Sequence, residues 1–304
     1  MLNKVQHDEV GKQKPRRGNA GVFCYYATMI KKLFLLAIVM GLTLFGYMYY
    51  VATSDPLVRK ADVMVSNWPE GQVELKLLLV SDIHVAGPDM PPERLKDIVE
   101  QINALEPDIV TFAGDFVSDK RTATKRYTAN EALAPLKSLR ADQGVFAVLG
   151  NHDHWRNSAA IGKILIEVGI TVLTNEAVQA GPLILGGIDD DFTDRADVPV
   201  TLSKMEKLSG FPVYLSHSPD IVPDLPAKAS LILAGHTHCG QIVLPFIGAI
   251  ATMSEYGERF ACGKIEEGEK IIFVSAGLGT SILPLRLGAV PDMWLISLGP
   301  KHTE

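Results

Sequence analysis

A chain of 304 residues with 47% hydrophobic and 21% charged positions has room for a membrane segment plus one large domain or two small ones, and its composition excludes a disordered or fibrous protein. The formal net charge of −6 is unevenly spread: Lys4, Lys12, Lys14, Arg16, Arg17, Lys31 and Lys32 oppose only Asp8 and Glu9, a net +5 before residue 33 that leaves −11 for the body after residue 52. An acidic body lacks the electrostatic footprint of a nucleic-acid binder, and three scattered cysteines are too few for a disulfide framework.

In chain order, residues 1–32 form a basic segment and Leu33 to Ala52 are twenty consecutive uncharged, mostly apolar positions. At the helical rise this is roughly 30 Å, enough to cross the hydrocarbon core of a bilayer. Tyr47, Tyr49 and Tyr50 at its far end suit the interface, and the positive-inside rule keeps the N-terminus cytoplasmic. The n-region is long for a cleaved signal peptide, so the expectation is an uncleaved, single-pass anchor in the inner (plasma) membrane with the body of the chain outside the cytoplasm. Residues 53–72 read as a linker and 73–304 as one domain. Cys24 falls on the cytoplasmic side; Cys239 and Cys262 could pair or remain buried thiols.

In the body, Val73 to Val80 alternates and then fills in, predicting a strand buried on both faces near its end; it stops at Ser81-Asp82-Ile83-His84. Pro91 and Pro92 open a helix carrying Leu95, Ile98, Val99, Ile102 and Leu105 at helical spacing. The strand Asp108 to Ala113 ends in Gly114-Asp115, and Leu133, Leu136 and Leu139 mark a helix. The apolar run Val145 to Leu149 ends in Gly150-Asn151-His152-Asp153, before a helix with Ile161, Leu165 and Val168. Later strands near 171–173, 183–185, 213–215, 231–234, 271–274 and 293–296 follow, two of them ending in Ser216-His217 and Gly235-His236-Thr237-His238. Strand alternating with helix predicts an α/β sandwich.

Five strand ends carrying Asp/His, Asp, Asn/His, His and His/His share one chemistry. Oxygen and imidazole donors with no thiolate suit Mn²⁺, Fe²⁺ or Zn²⁺. There are too many ligands for one ion and enough for two, and two divalent ions clamp an in-line phosphoryl displacement.

These blocks, Asp82-x-His84, Gly114-Asp115, Gly150-Asn151-His152-Asp153, His217 and Gly235-His236-x-His238, resemble in order and spacing the signature of the calcineurin-like metallophosphoesterases. Gly240-Gln241, Gly277-x-Gly279 and Pro284-x-Arg286 are similar to its bacterial membrane-associated branch, the YkuE/YaeI-type phosphodiesterases, which is related to UDP-2,3-diacylglucosamine hydrolases of lipid A synthesis. The resemblance implies a two-sheet β-sandwich flanked by helices, a four-layer αββα fold. It implies Asp82, His84 and His238 on one metal, Asn151, His217 and His236 on the other, and Asp115 bridging. His152 would protonate the leaving oxygen, with Asp153 orienting it. Two departures stand out: the family often has Asp where Ser118 lies, with Asp119 beside it, and Cys239 replaces a usual Gly.

Arg286 would either clamp a substrate phosphate or form a structural ion pair. Lys120, Arg121, Lys125 and Arg126 would meet phosphates or sit in a solvated loop, and Asp189, Asp190 and Asp191 read as a solvated turn. The function expected is that of a membrane-anchored dimetal phosphodiesterase or pyrophosphatase on a lipid-linked or nucleotide-type substrate. The alternatives are a phosphomonoesterase or nucleotidase, and a catalytically silent membrane scaffold. Lipid A precursors are made at the cytoplasmic face, which conflicts with the expected topology.

Overall fold

The computed structural model describes residues 19–228 and 230–301; Lys4 to Arg17 of the basic segment lie outside them. The chain divides into two units, Met1–Gly46 and Tyr47–Glu304. Helix α1 (Asn19–Thr53) contains a 31-residue span, Phe23–Thr53, long and apolar enough by length and composition to cross a membrane.

The strands in chain order are β1 (Leu57–Val65), β2 (Leu75–Val80), β3 (Ile109–Ala113), β4 (Val145–Val148), β5 (Thr171–Val172), β6 (Glu176–Ala180), β7 (Leu183–Gly187), β8 (Phe211–Leu215), β9 (Ser230–Ala234), β10 (Val243–Leu244), β11 (Gly248–Ala249), β12 (Gly263–Glu267), β13 (Lys270–Val274) and β14 (Asp292–Pro300). The remaining helices are α2 (Pro92–Ala104), α3 (Ala129–Leu133), α4 (Asn151–Glu167) and α5 (Val198–Met205). Two six-stranded mixed sheets form, ordered β1-β14-β2-β3-β4-β5 and β12-β13-β9-β8-β7-β6.

The layering follows from the two-residue period of a strand. On β2, Leu77 and Leu79 join the cluster between the sheets, with Val213, Leu215, Leu231, Leu233 and Phe273 from the facing sheet. Leu78 and Val80 point the other way, to Leu95, Ile98, Val99 and Ile102 of α2 and Ile161 and Leu165 of α4. On the second sheet, Tyr214, Ile232 and Ile272 face outward to Val198 and Met205 of α5. The result is the expected αββα sandwich.

Two boundaries differ from expectation. Residues 53–72 are not a linker: α1 runs to Thr53, and β1 pairs in parallel with β14 from Leu57↔Asp292 to Val65↔Pro300. Arg59, Lys60 and Asp62 break up its apolar pattern, as befits a charged edge strand, and only Val63 and Val65 of it are buried. The helix around Leu133 starts earlier, at Ala129, where Thr128 and Glu131 form a reciprocal capping box, and Pro135 turns its continuation into a 3₁₀ segment.

Candidate dinuclear metal centre

β2, β3 and β4 are adjacent and parallel, as are β8 and β9, so the carboxyl ends of five strands gather at one end of the sandwich. Asp82, His84, Asp115, Asn151, His217, His236 and His238 all follow these ends and all are buried. The loops lock one another in place: the His84 N–H donates to the Asp115 carbonyl (2.9 Å), the Asp82 N–H to the Gly114 carbonyl (3.0 Å), and the His236 N–H to the Asp82 carboxylate (3.0 Å). Asp82, His84, Asp115, His236 and His238 are held at φ between 49° and 68°, a strained region for residues with a Cβ. The glycines of the motifs permit the crowding. A Cβ on Gly150 would meet the Asp115 Oδ1 at 2.3 Å, and one on Gly235 the Asp82 Oδ2 at 2.4 Å.

Side-chain atoms converge in two groups. His84 Nε2 lies 3.1 Å from His238 Nε2, 3.4 Å from Asp115 Oδ2 and 3.9 Å from Asp82 Oδ1, which is 3.5 Å from His238 Nε2. On the other side, His217 Nε2 lies 3.2 Å from Asp115 Oδ2, 3.0 Å from Asn151 Oδ1 and 3.0 Å from His236 Nδ1. One carboxylate oxygen, Asp115 Oδ2, thus belongs to both groups. The outward ring nitrogens are already engaged: His217 Nδ1 donates to the Ala113 carbonyl (2.7 Å) and His236 Nε2 to the Met253 carbonyl (3.1 Å). Those bonds turn His217 Nε2 and His236 Nδ1 toward the centre, the arrangement that orients histidine metal ligands.

The electrostatics ask for cations. Burial drives the imidazoles of His84 and His238 well below their usual value, so both are neutral donors. Burial raises Asp82 to about 6, where an unpaired carboxylate resists ionising. Burial also pushes Asp115 up, but the His217 imidazole, which the Asp115 carboxylate keeps protonated, outweighs it and holds the carboxyl well below its usual range. Buried carboxylates among imidazole and amide donors fit hard-to-borderline divalent ions.

His152 stands on the first turn of α4, beside the centre. Its Nδ1–H donates to the Asp119 carboxylate, and its Nε2 faces the cavity 3.3 Å from the Ser281 hydroxyl. It also lies close enough to His84 and Asp115 to complete a third potential metal trio. Asp153 does not orient it. The Asp153 carboxylate turns inward and accepts from the backbone N–H groups of Phe116 (2.9 Å), Val117 (3.2 Å) and Gly150 (3.1 Å), bracing the Asp115 loop against α4. A helix period separates neighbouring side chains by about 100°, so adjacent residues at a helix start diverge. Burial and the Asp115 charge raise Asp153 to about 7.

Arg286 also departs from its expected substrate role. It is fully buried, and its Nη2 donates to the carbonyls of Ala276 (2.7 Å), Gly277 (3.1 Å) and Gly279 (2.6 Å), 3.4 Å from His238 Nδ1. It holds the loop behind His238. Lys120 is likewise buried, paired with Asp89 and 3.2 Å from the Thr280 hydroxyl, and not free for phosphate. The expected solvated turn at Asp189–Asp190 is buried, with Asp189 against His154 Nε2 (2.9 Å) and Asp190 accepting from the Thr193 hydroxyl (2.6 Å).

Three neighbours of the site carried no sequence signal of their own: Ser281, Trp155 (ring 4.9 Å from His152) and Phe192 (4.7 Å from His236). Asp119 was visible only through its place beside Ser118. A disulfide joins Cys239 to Cys262, fastening the turn that follows His238. Asp115, Asn151, His236 and His238 form the floor of a cavity of about 360 Å³ whose wall includes Ile242, Ile250, Met253, Ile282 and Leu283, with Asp82, His84 and His217 beneath it.

A strand-end cluster of this kind defines a metal-dependent phosphoester hydrolase. The chain belongs to the calcineurin-like phosphoesterase family, whose model matches residues 75–240. It is 32% identical over 264 residues to the uncharacterized metallophosphoesterase YkuE of Bacillus subtilis, covering 84% of this chain and 89% of that one. It is 30% identical to an uncharacterized metallophosphoesterase of Helicobacter pylori (86% and 70% covered). A transmembrane protein with metallophosphoesterase domain of Danio rerio is 27% identical (87% and 62% covered).

Proposed function

We propose that the protein is a membrane-anchored, dinuclear phosphodiesterase or pyrophosphatase acting on a lipid-linked or nucleotide-type substrate. The observation that carries this is Asp115 Oδ2, 3.4 Å from His84 Nε2 and 3.2 Å from His217 Nε2. Asp82, His84 and His238 would hold one divalent ion, and Asn151, His217 and His236 the other, with Asp115 between them. Two such ions, Mn²⁺, Fe²⁺ or Zn²⁺, polarise the phosphoryl oxygens and make water nucleophilic at neutral pH.

The protein's own groups do the rest. The Asp119 carboxylate fixes His152 with Nδ1 protonated and Nε2 toward the cavity. Protonated, His152 delivers a proton from Nε2 to the departing oxygen; a positioned acid of this kind contributes about 10²–10⁴-fold. The apolar wall excludes water from the reacting groups.

A diester is favoured over a monoester by the cavity lining, which among the described residues includes no Lys or Arg. A monoester dianion needs more counter-charge than a diester, whose second organic arm fits an apolar wall. The basic N-terminal segment and the disulfide both favour an extracytoplasmic catalytic domain, since disulfides persist in oxidising compartments. That side is opposite the one where lipid A precursors are made, so the relation to UDP-2,3-diacylglucosamine hydrolysis supports a reaction type more than a substrate.

The test is hydrolysis of bis(p-nitrophenyl) phosphate and p-nitrophenyl phosphate by purified full-length protein loaded with Mn²⁺. Diester turnover above monoester turnover is expected. The reverse preference would favour the nucleotidase reading, and no turnover with metal bound the silent scaffold.

A further inference from the structure

The catalytic unit carries an apolar surface that the chemistry does not use. From Cys239 to Ser254 the chain has no charged residue, and the same holds from Ser275 to Leu285. The first stretch contains the small hairpin β10–β11, whose turn presents Phe246 fully exposed and Ile247 at 74% exposure. Ile250 (64%) and Ile282 (68%) are as open, and Leu283 lies beside Ile282. Soluble surfaces rarely leave so many large apolar side chains together in water.

The two stretches are fastened to each other. The Val243 N–H donates to the Leu287 carbonyl (2.7 Å) and the Gln241 side chain to the carbonyls of Leu283 (3.0 Å) and Leu285 (3.1 Å). The Ser281 N–H returns a bond to the Gln241 Oε1 (3.0 Å). A lobe tied this way keeps its apolar residues displayed and does not collapse onto them.

The residue that ends the second stretch, Arg286, touches the chain where it arrives from the apolar helix. The Arg286 N–H donates to the Met48 carbonyl (3.0 Å), and Val51 and Ala52 are buried in the catalytic unit. The uncharged run continues covalently from Tyr47 back to Leu33. The lobe is therefore anchored, through Arg286, to the residues at which the chain leaves the lipid.

We propose that the β10–β11 hairpin tip, with Ile250, Ile282 and Leu283, is a second membrane contact that dips into the bilayer. Ile250, Ile282 and Leu283 also line the cavity, so this contact sets the cavity mouth at the lipid surface, where an amphiphilic phosphoester enters without crossing water. The inference rests on the membrane anchoring proposed above but not on the reaction.

The test uses Phe246→Trp in full-length protein reconstituted into phosphatidylethanolamine/phosphatidylglycerol vesicles with and without brominated phosphatidylcholine. Emission is read as the difference from unsubstituted protein, with Val73→Trp as control; Val73 is exposed just before β2, at the far end of that strand from Asp82. Expected is a blue-shifted indole at 246 that loses most of its emission in bromolipid, while that at 73 keeps it. A water-exposed, unquenched indole at 246 overturns the proposal. A blue-shifted but unquenched one also overturns it, and assigns the patch to a protein partner or a second copy. Hydrolysis of bis(p-nitrophenyl) phosphate by the same samples separates the two readings: turnover without quenching removes the membrane contact alone, and quenching without turnover removes the proposed reaction alone.

Discussion

The floor and the wall of the cavity differ in every physical respect. On the floor and just beneath it, seven buried polar side chains sit at the ends of five strands, and the residues at positive φ are fixed by loops bonded to one another. On the wall, Ile250, Ile282 and Leu283 are exposed, apolar and carried on loops. Strain is tolerated on the floor because the sandwich beneath over-determines it. On the proposed function this difference amounts to a division of work: the floor would fix which bond breaks, and the wall which molecule is admitted. Changes to the floor should therefore abolish turnover on any phosphoester, and changes to the wall only on some.

The largest effect belongs to Asp115. Asp115→Asn removes the charge shared by both ligand groups, so turnover on bis(p-nitrophenyl) phosphate should fall by at least the ~10³-fold typical of losing a central electrostatic element. Next is His152→Ala. It should retain the metals, by elemental analysis, and lose about 10²–10⁴-fold on alkyl diesters. On bis(p-nitrophenyl) phosphate, whose leaving group departs without a proton, the loss should be much smaller. Equal losses on both, or missing metal, would move His152 into the ligand set. Asp119→Asn should give a milder form of the same leaving-group dependence. Asp153→Asn should not: its carboxylate holds three backbone N–H groups, so thermal stability and metal content should drop, with any turnover lost alike on both substrates.

The contrast between Asp119 and Asp153 shows how far the sequence could be read. Ligand types at strand ends were legible because an apolar run followed by Gly-Asn-His-Asp or Gly-His-Thr-His is a local pattern, and the two-sheet sandwich followed from the order of such runs. Which carboxylate meets His152 was not legible, because it depends on how the loop after Asp115 folds back over the start of α4. β1 was hidden by charges that suit an edge strand, and Arg286 by the three carbonyls it satisfies, which lie seven to ten residues away. The wall escaped for another reason: exposed apolar residues in loops have no period to detect.

Smaller effects come from the parts that hold the floor. Arg286→Leu leaves buried carbonyls unpaired and should destabilise the fold by about 3 kcal/mol, read by denaturant unfolding, without a change in KM, since the guanidinium does not reach the cavity. Cys262→Ser removes the disulfide behind His238 and should lower stability by about 2–4 kcal/mol while leaving the ligand set intact.

The most direct measurement is the count of divalent ions per chain in purified full-length protein, wild type beside Asp115→Asn, by elemental mass spectrometry. A dinuclear floor bridged by Asp115 predicts two ions per wild-type chain and a loss from both groups in the variant. One ion in the wild type, or two in both proteins, would contradict it.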